Sequence, residues 1–224
     1  IQKTIVAETT ALAGATTESL RNIELVKSLG LAPQEIARLN GTTDKILQLD
    51  GISPESVEAH WGLYEAYVKK YNEVMEKLPG ADRGAANQIY SDYRGFREML
   101  TFAIGGIKNH EVYFQNLSAD GGSPSDALAA QVEKDFGGQD DMITELKAGG
   151  MAARGWAWVA WDWDWARLDV YIGDAQNTFP VWNATPILAL DVYEHSYIRD
   201  FSTARPKYID AFVANIDWAD VSAR

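Results

Sequence analysis

Residues 185–208 constrain this chain most, because they place a carboxylate and a histidine in one short frame. The apolar run at residues 186–192 is typical of a buried strand, and a helical pattern begins at Glu194. Asp191 and His195 would then lie at a strand end and at the start of the next helix, a rigid mount for a metal ion. An isolated Asp-x-x-x-His is more often a helix cap beside a packed histidine.

Histidine occurs only three times in the chain, at His60, His110 and His195, and cysteine is absent. A transition-metal site would therefore use imidazole and carboxylate, a set suited to iron or manganese rather than to thiolate zinc or iron-sulfur sites. His60 and His110 lie in aromatic-rich segments with a helical pattern, as expected of side chains that face a core. This count favours the metal site over the helix cap.

Four short sequence frames carry a resemblance to a known family. They are HWGLYEAYVKKYN from His60, GGIKNHEVYF from Gly105, ARGWAWV from Ala153, and DVYEHSY with TARPKY near the C-terminus. In this order and at these separations they resemble the iron/manganese superoxide dismutases, over about residues 52–224. All three histidines fall on positions that bind the metal in that family.

The resemblance implies one manganese or iron ion per subunit, with superoxide anion as the substrate. The ligands carried over are His60, His110, Asp191 and His195. Dismutation to dioxygen and hydrogen peroxide is the implied reaction, and a homodimer or higher homo-oligomer is the implied assembly. Two other classes stay open: a mononuclear iron oxygenase, which needs two histidines and one carboxylate, and a non-catalytic metal-binding or structural protein on the same fold.

The predicted fold class is α+β, with the metal between two halves. An N-terminal extension or arm at residues 1–51 precedes a helical hairpin at residues 52–118, with helices over about 54–77 and 88–117, the second broken in character at Gly105-Gly106. After the linker SADGGSPSD, residues 124–224 form an α+β domain. Its three-stranded antiparallel sheet is predicted from residues 155–162, 166–173 and 186–192, with flanking helices.

An aromatic stripe on the first helix contains the predicted gating residue. Tyr64, Tyr67 and Tyr71 follow His60 at spacings of four, three and four, so they share one face, as ordinary core residues also would. Family members have one residue more between the ligand histidine and the tyrosine that gates the substrate channel. Seven steps leave two side chains about 20° apart on a helix, whereas eight leave about 80° without a π-bulge. We therefore expect no bulge here and Tyr67 as the gate.

The resemblance favours manganese over iron at two positions. Manganese members have glycine where this chain has Gly106, while many iron members have glutamine there. Gln176 matches a glutamine that in manganese members hydrogen-bonds the solvent molecule at the metal. Close helix packing and an ordinary loop glutamine are the alternatives. Trp156 and Tyr193 are expected to wall the pocket, Tyr193 replacing a commoner tryptophan, although plain sheet packing would also suit Trp156.

The net charge and the composition of the chain indicate which partners and which location to expect. A net charge of −12 and a pI near 4.6 argue against nucleic acid and anionic membrane surfaces. The same charge would repel superoxide, so a nearby cation is needed, and Arg205 is the best placed. No run of 18 apolar residues predicts a membrane-spanning helix. The start at Ile1 and the absence of cysteine slightly favour an exported or periplasmic protein over a cytoplasmic one.

The expected subunit interface departs from the family in two places. Many members pair a histidine on the first helix with a tyrosine three residues beyond the last ligand, across a two-fold axis. This chain has Tyr64 and Ile198 there, which we expect to pack as an apolar contact. Glu194 is implied to accept a hydrogen bond from the partner subunit's last ligand histidine. Alternatively, Glu194 is a solvated residue in the first turn of a helix.

Overall fold

The N-terminal half of the described chain is a hairpin of two long helices. The computed structural model describes residues 45–178 and 181–224. Helix α1 spans Pro54–Lys77 and helix α2 spans Asp92–Gln115, with a 3-10 turn at Leu78–Gly80 after α1. Ser53 and Ser91 cap the helices, because each side chain accepts a hydrogen bond from a backbone N–H of the first turn.

The C-terminal half is a three-stranded antiparallel sheet with flanking helices. Its strand order is β2-β1-β3, which confirms the predicted α+β class. The sheet strands are β1 Trp156–Asp162, β2 Arg167–Gly173 and β3 Ala184–Asp191. The helical elements are α3 Asp126–Phe136, α4 Gln139–Ala152, a 3-10 turn Glu194–Ser196, α5 Ile198–Phe201, α6 Arg205–Ala214 and α7 Trp218–Ala223.

The sheet register places two predicted site residues side by side. Trp156 opens the central strand β1 and pairs with Asp191, the last residue of β3, and with Gly173 on the other side. Alternate residues of a strand point to opposite faces, but every residue of β1 except Trp161 is buried, because helices cover the sheet. Asp191 therefore lies at the end of strand β3, inside the protein.

The two halves are joined by a buried asparagine that follows α2. The Asn116 amide donates to the Ile187 carbonyl at 3.1 Å and to an Asp220 carboxylate oxygen at 2.9 Å, and accepts from the Ala189 N–H at 3.0 Å. It thus satisfies polar groups of β3 and α7 from the end of the hairpin. A single apolar core extends across both halves around it.

The observed elements differ from the sequence predictions in detail. Helix α2 begins at Asp92 rather than near residue 88, and it continues through Gly105 and Gly106, so the predicted break is wrong. The chain after Asp191 forms the 3-10 turn and the short helix α5 rather than one helix from Glu194. Most of the predicted arm, residues 1–44, lies outside the described residues, and the domain bounds stay predictions. Across the described ranges, no helix has the length and apolarity to span a membrane.

Candidate metal centre

Four side chains from both halves meet in one buried place. His60 comes from α1, His110 from α2, Asp191 from the end of β3 and His195 from the 3-10 turn that follows. One ligand atom of each lies within 4.8 Å of those of the other three. His60, His110 and Asp191 are buried, while His195 keeps 27% of its side chain exposed.

The three imidazoles converge on one carboxylate oxygen through the same ring atom. The Nε2 atoms of His60, His195 and His110 lie 3.1, 3.3 and 3.6 Å from Asp191 Oδ2. The other carboxylate oxygen, Oδ1, accepts a hydrogen bond from the Tyr193 backbone N–H at 2.9 Å. One face of Asp191 is therefore held by the main chain, and the other faces the histidines.

The orientation of His110 is fixed from behind. Its Nδ1 lies 2.6 Å from the Gly106 carbonyl oxygen, one helical turn earlier. A carbonyl can only accept, so Nδ1 carries the proton and Nε2 presents a lone pair to the cluster. Nε2 is buried and has no hydrogen-bond partner among the described residues. An orphaned buried lone pair of this kind fits a metal ion.

Burial sets the protonation of the site. Burial lowers the pKa of His60 and, with the neighbouring His60, lowers that of His110 to about 3. Burial raises the pKa of Asp191, but hydrogen bonds with His195 and His60 outweigh it and hold that pKa well below its usual value. At neutral pH the pocket thus contains a buried carboxylate beside neutral imidazoles at His60 and His110, a donor set that needs a compensating cation.

The donor set fits manganese or iron. Imidazole and carboxylate suit these ions, and no thiolate is present in the chain. The cluster mixes one anionic oxygen with three nitrogens, and its burial in a protein interior favours a bound ion over an empty set of ligands.

Aromatic rings wall the cluster. The Trp156 ring meets His110 edge to face at a centroid distance of 5.3 Å, and its side chain is fully buried. Tyr193 stacks on His195 at 5.3 Å. These contacts put the two rings against the ligands His110 and His195, and their predicted role as a wall that limits the access of water stays a prediction.

Gln176 and Tyr67 border the same pocket. The Gln176 side chain is buried, and its Oε1 accepts a hydrogen bond from Trp156 Nε1 at 3.1 Å, whereas its Nε2 has no hydrogen-bond partner within the described ranges. The Tyr67 ring lies 5.4 Å from the His110 ring. Helix α1 is α-helical from end to end, as predicted for a chain that lacks the bulge residue. Burial raises the pKa of Tyr67, although the nearby Gln176 amide opposes this rise.

The structure shows the surroundings of the residue predicted as a nearby cation and of those predicted at a subunit interface. Arg205 Nη1 donates to the Ala153 carbonyl at 2.9 Å and Nε donates to the Tyr197 hydroxyl at 3.3 Å, so these contacts tie it to the chain before β1 rather than to a ligand. Tyr64 is fully buried and its hydroxyl donates to Glu111, so the predicted contact of Tyr64 with a partner subunit is wrong. Glu194 and Ile198 are exposed.

Sequence reasoning missed two tyrosines behind the ligands. The Tyr208 hydroxyl donates to the Asp191 main-chain oxygen at 2.7 Å and lies 3.3 Å from the Tyr113 hydroxyl. Burial raises the pKa of Tyr208 well above its usual value, so it remains a donor. Tyr208 closes the frame TARPKY, and that position was the available signal for a role beside the site.

Comparison with known proteins matches this geometry. Residues 49–118 match the model for the α-hairpin domain of the iron/manganese superoxide dismutases, and residues 124–224 match the model for their C-terminal domain. The chain belongs to the iron/manganese superoxide dismutase family. It is thus an enzyme of an oxidoreductase family, and its four clustered side chains lie in the two matched domains.

The names of individual relatives specify different metals. The chain is 45% identical to a superoxide dismutase [Fe] of Aquifex pyrophilus over 181 residues, 79% of this chain and 85% of that protein. The corresponding protein of Aquifex aeolicus shows the same identity and coverage. A superoxide dismutase [Mn] of Haloferax volcanii is 34% identical over 162 residues, 72% of this chain and 80% of that protein.

Proposed function

We propose that this protein dismutates superoxide at one manganese or iron ion bound by His60, His110, Asp191 and His195. The observation that carries the proposal is the convergence of three Nε2 atoms and one carboxylate oxygen in a buried aromatic pocket. When bound, such an ion supplies a one-electron couple that accepts an electron from one superoxide and donates one to the next. The chain's residues hold the donor set and exclude water.

Protons for the peroxide product require donors beside the pocket. The Tyr67 hydroxyl is protonated at neutral pH, as tyrosine ordinarily is, and burial raises its pKa further. The Gln176 Nε2 is a buried donor close enough to the Tyr67 hydroxyl to lower its pKa, but it makes no full hydrogen bond within the described residues. The two groups can therefore share a solvent or substrate oxygen in the pocket. We assign proton positioning to these two residues.

The third histidine disfavours an oxygenase. A mononuclear iron oxygenase uses two histidines and one carboxylate on one face and leaves positions open for dioxygen and an organic substrate. Here a third Nε2 joins the cluster within 4.8 Å of the other ligand atoms, so that space is occupied by protein.

Manganese is proposed as the more active metal. Gly106 leaves the space that the Tyr67 ring fills, and Gln176 approaches the pocket from the sheet side through its bond to Trp156. A glutamine that donates to solvent at the metal favours the oxidised ion and lowers its reduction potential, as manganese requires. The two Aquifex relatives are named for iron, so activity with each metal must be measured separately.

The deciding experiment is a dismutation assay on protein reconstituted with manganese and, separately, with iron, each with metal analysis. We expect activity with near one ion per chain and a higher rate for the manganese form. A many-fold more active iron form would reject the metal preference alone. Full metal content without dismutation in either form would reject the function.

We also propose a homodimer joined through Glu194. Glu194 and Ile198 are exposed on the chain beside His195, whose side chain is 27% exposed. A carboxylate from the partner subunit's Glu194 would accept a hydrogen bond from the His195 ring and fix its orientation. Ile198 is half exposed and would add apolar contact area.

A further inference from the structure

One face of α2 contacts the loop that carries Gln176. Thr101, Gly105 and Asn109 follow one another at intervals of four residues, so they lie on a single face of the helix. The loop residues Gln176 and Asn177 pack on this face. We name Thr101, Gly105 and Asn109 the α2 stripe.

Gly105 lets the loop's main chain approach the helix. A Cβ at position 105 would lie 1.8 Å from the Gln176 carbonyl oxygen and 2.6 Å from its carbonyl carbon. Both are backbone atoms, so no flexible side chain can move aside, and the loop itself would have to shift. The neighbouring Gly106 serves another contact, because a Cβ there would meet the Tyr67 ring.

Two hydrogen bonds hold the loop on either side of Gly105. Asn109 Nδ2 donates to the Gln176 carbonyl oxygen at 3.4 Å, one turn after Gly105. Asn177 Nδ2 donates to Thr101 Oγ1 at 3.2 Å, one turn before it. The two hydrogen bonds therefore fix the position of the loop along the helix axis. The absence of a side chain at Gly105 lets the loop lie close to the helix.

The other end of Gln176 reaches the metal pocket. Its Oε1 accepts from Trp156 Nε1, and its Nε2 is buried without a partner among the residues that the structure describes. A shift of the Gln176 main chain therefore moves an amide that is bonded to Trp156, the ring that contacts the ligand His110. Restoring a 3.0 Å separation from a Cβ at 105 needs a shift of about 1.2 Å, more than the ~0.5 Å that productive geometry tolerates.

We propose that the α2 stripe sets the distance of the Gln176 amide from the metal pocket and so tunes the redox chemistry there. Its members are positioning residues, because they act through Gln176. The inference rests on the proposed function, since the amide matters to catalysis only when a metal is bound.

The test compares Gly105→Ala with Gly95→Ala in the manganese-loaded protein. Both change the same helix by one methyl group, but a Cβ at 95 meets only Met99 Cε, at 4.0 Å. We expect Gly105→Ala to lower dismutation about 10- to 100-fold, to shift the midpoint potential in the direction given by Gln176→Leu, and to lengthen the Trp156 to Gln176 hydrogen bond in a crystal structure. Gly95→Ala should change none of these.

Asn109→Ala gives a second test that keeps the helix backbone unchanged. It removes one bond to the Gln176 carbonyl, and we expect a smaller potential shift with the same sign. A folded Gly105→Ala with wild-type potential and hydrogen-bond length would overturn the inference. If Gly105→Ala does not fold, a wild-type potential in Asn109→Ala would overturn it. If the wild-type protein lacks dismutase activity, the proposed function fails, while the crystallographic distance still decides the role of the stripe.

Discussion

The Tyr67 ring occupies the space that a side chain at position 106 would need, because a Cβ on Gly106 would lie 2.6 Å from the Tyr67 ring atom Cγ. The two residues lie on different helices of the hairpin, and the uninterrupted α1 fixes the direction in which Tyr67 points. A glutamine at position 106 and the observed Tyr67 position therefore exclude each other.

Gly106→Gln should displace Tyr67 and destabilise the fold. Overpacking of this kind costs about 1–3 kcal/mol, and thermal unfolding would measure it. Gly62→Ala on α1 is the control, since a Cβ there meets nothing within 4 Å. Adding Tyr67→Ala to Gly106→Gln should recover part of the loss, because it vacates the contested space. Equal melting temperatures for Gly106→Gln and wild type would show that the ring moves aside freely.

His110→Ala should abolish activity and most metal binding. It removes a buried Nε2 that no other side chain in the described chain can replace, since all three histidines already belong to the cluster. Metal analysis by mass spectrometry and the dismutation assay check this outcome. Lys108→Ala, an exposed change on the same helix, should leave both unchanged. Full metal occupancy in His110→Ala would reject the assigned ligand set.

Much of the site could be predicted because its chemistry is concentrated in rare residues. With three histidines and no cysteine, the sequence leaves few donor sets to consider, and the strand that delivers Asp191 was visible from its apolar run. The fold class followed from the separate helical and strand-like segments, together with the resemblance carried by the four sequence frames.

The remaining features depend on contacts between distant segments. Gly105 and Gly106 indicated a helix break, yet α2 continues because the absent side chains admit the Gln176 loop and the Tyr67 ring. Local propensity cannot show this, since both contacts come from other elements.

Glu194→Ala should weaken the dimer and lower metal content and activity. The exposed carboxylate is proposed to orient the partner subunit's His195, so its loss affects both subunits at once. Light scattering together with metal analysis measures the two effects. Glu145→Ala, another exposed glutamate, is the matched control. A dimeric variant with full metal and activity would leave Glu194 with only a solvated role.

Asp162 should stabilise the protein at neutral pH and lose this effect in acid. Hydrogen bonds from the Trp165 and Asp164 N–H groups and the Tyr171 hydroxyl hold the pKa of Asp162 below its usual value. Because the pKa of Asp162 is lower in the folded than in the unfolded chain, its ionised carboxylate stabilises the folded protein at pH values above the unfolded pKa. This stabilisation disappears as the pH falls through the pKa of the folded state. Metal-free wild type should melt above Asp162→Asn at pH 7, with a gap that narrows below about pH 4. A gap independent of pH would contradict this origin.

The two nearest ligands in the fold, His60 and Asp191, are 131 residues apart along the chain. Of the four ligands, only Asp191 and His195 are close in sequence, four residues apart, so only they can bind one ion together in an unfolded chain. Two donors bind an ion weakly. The complete site forms only after the hairpin and the sheet dock, a long loop closure that comes late in folding. An ion bound in this site would be surrounded by three buried ligands and the partly exposed His195, so we expect its exchange to require local separation of the halves. We therefore expect the metal found in the folded protein to reflect the ions present while the chain folds, and the interface between the halves to set how fast that metal exchanges.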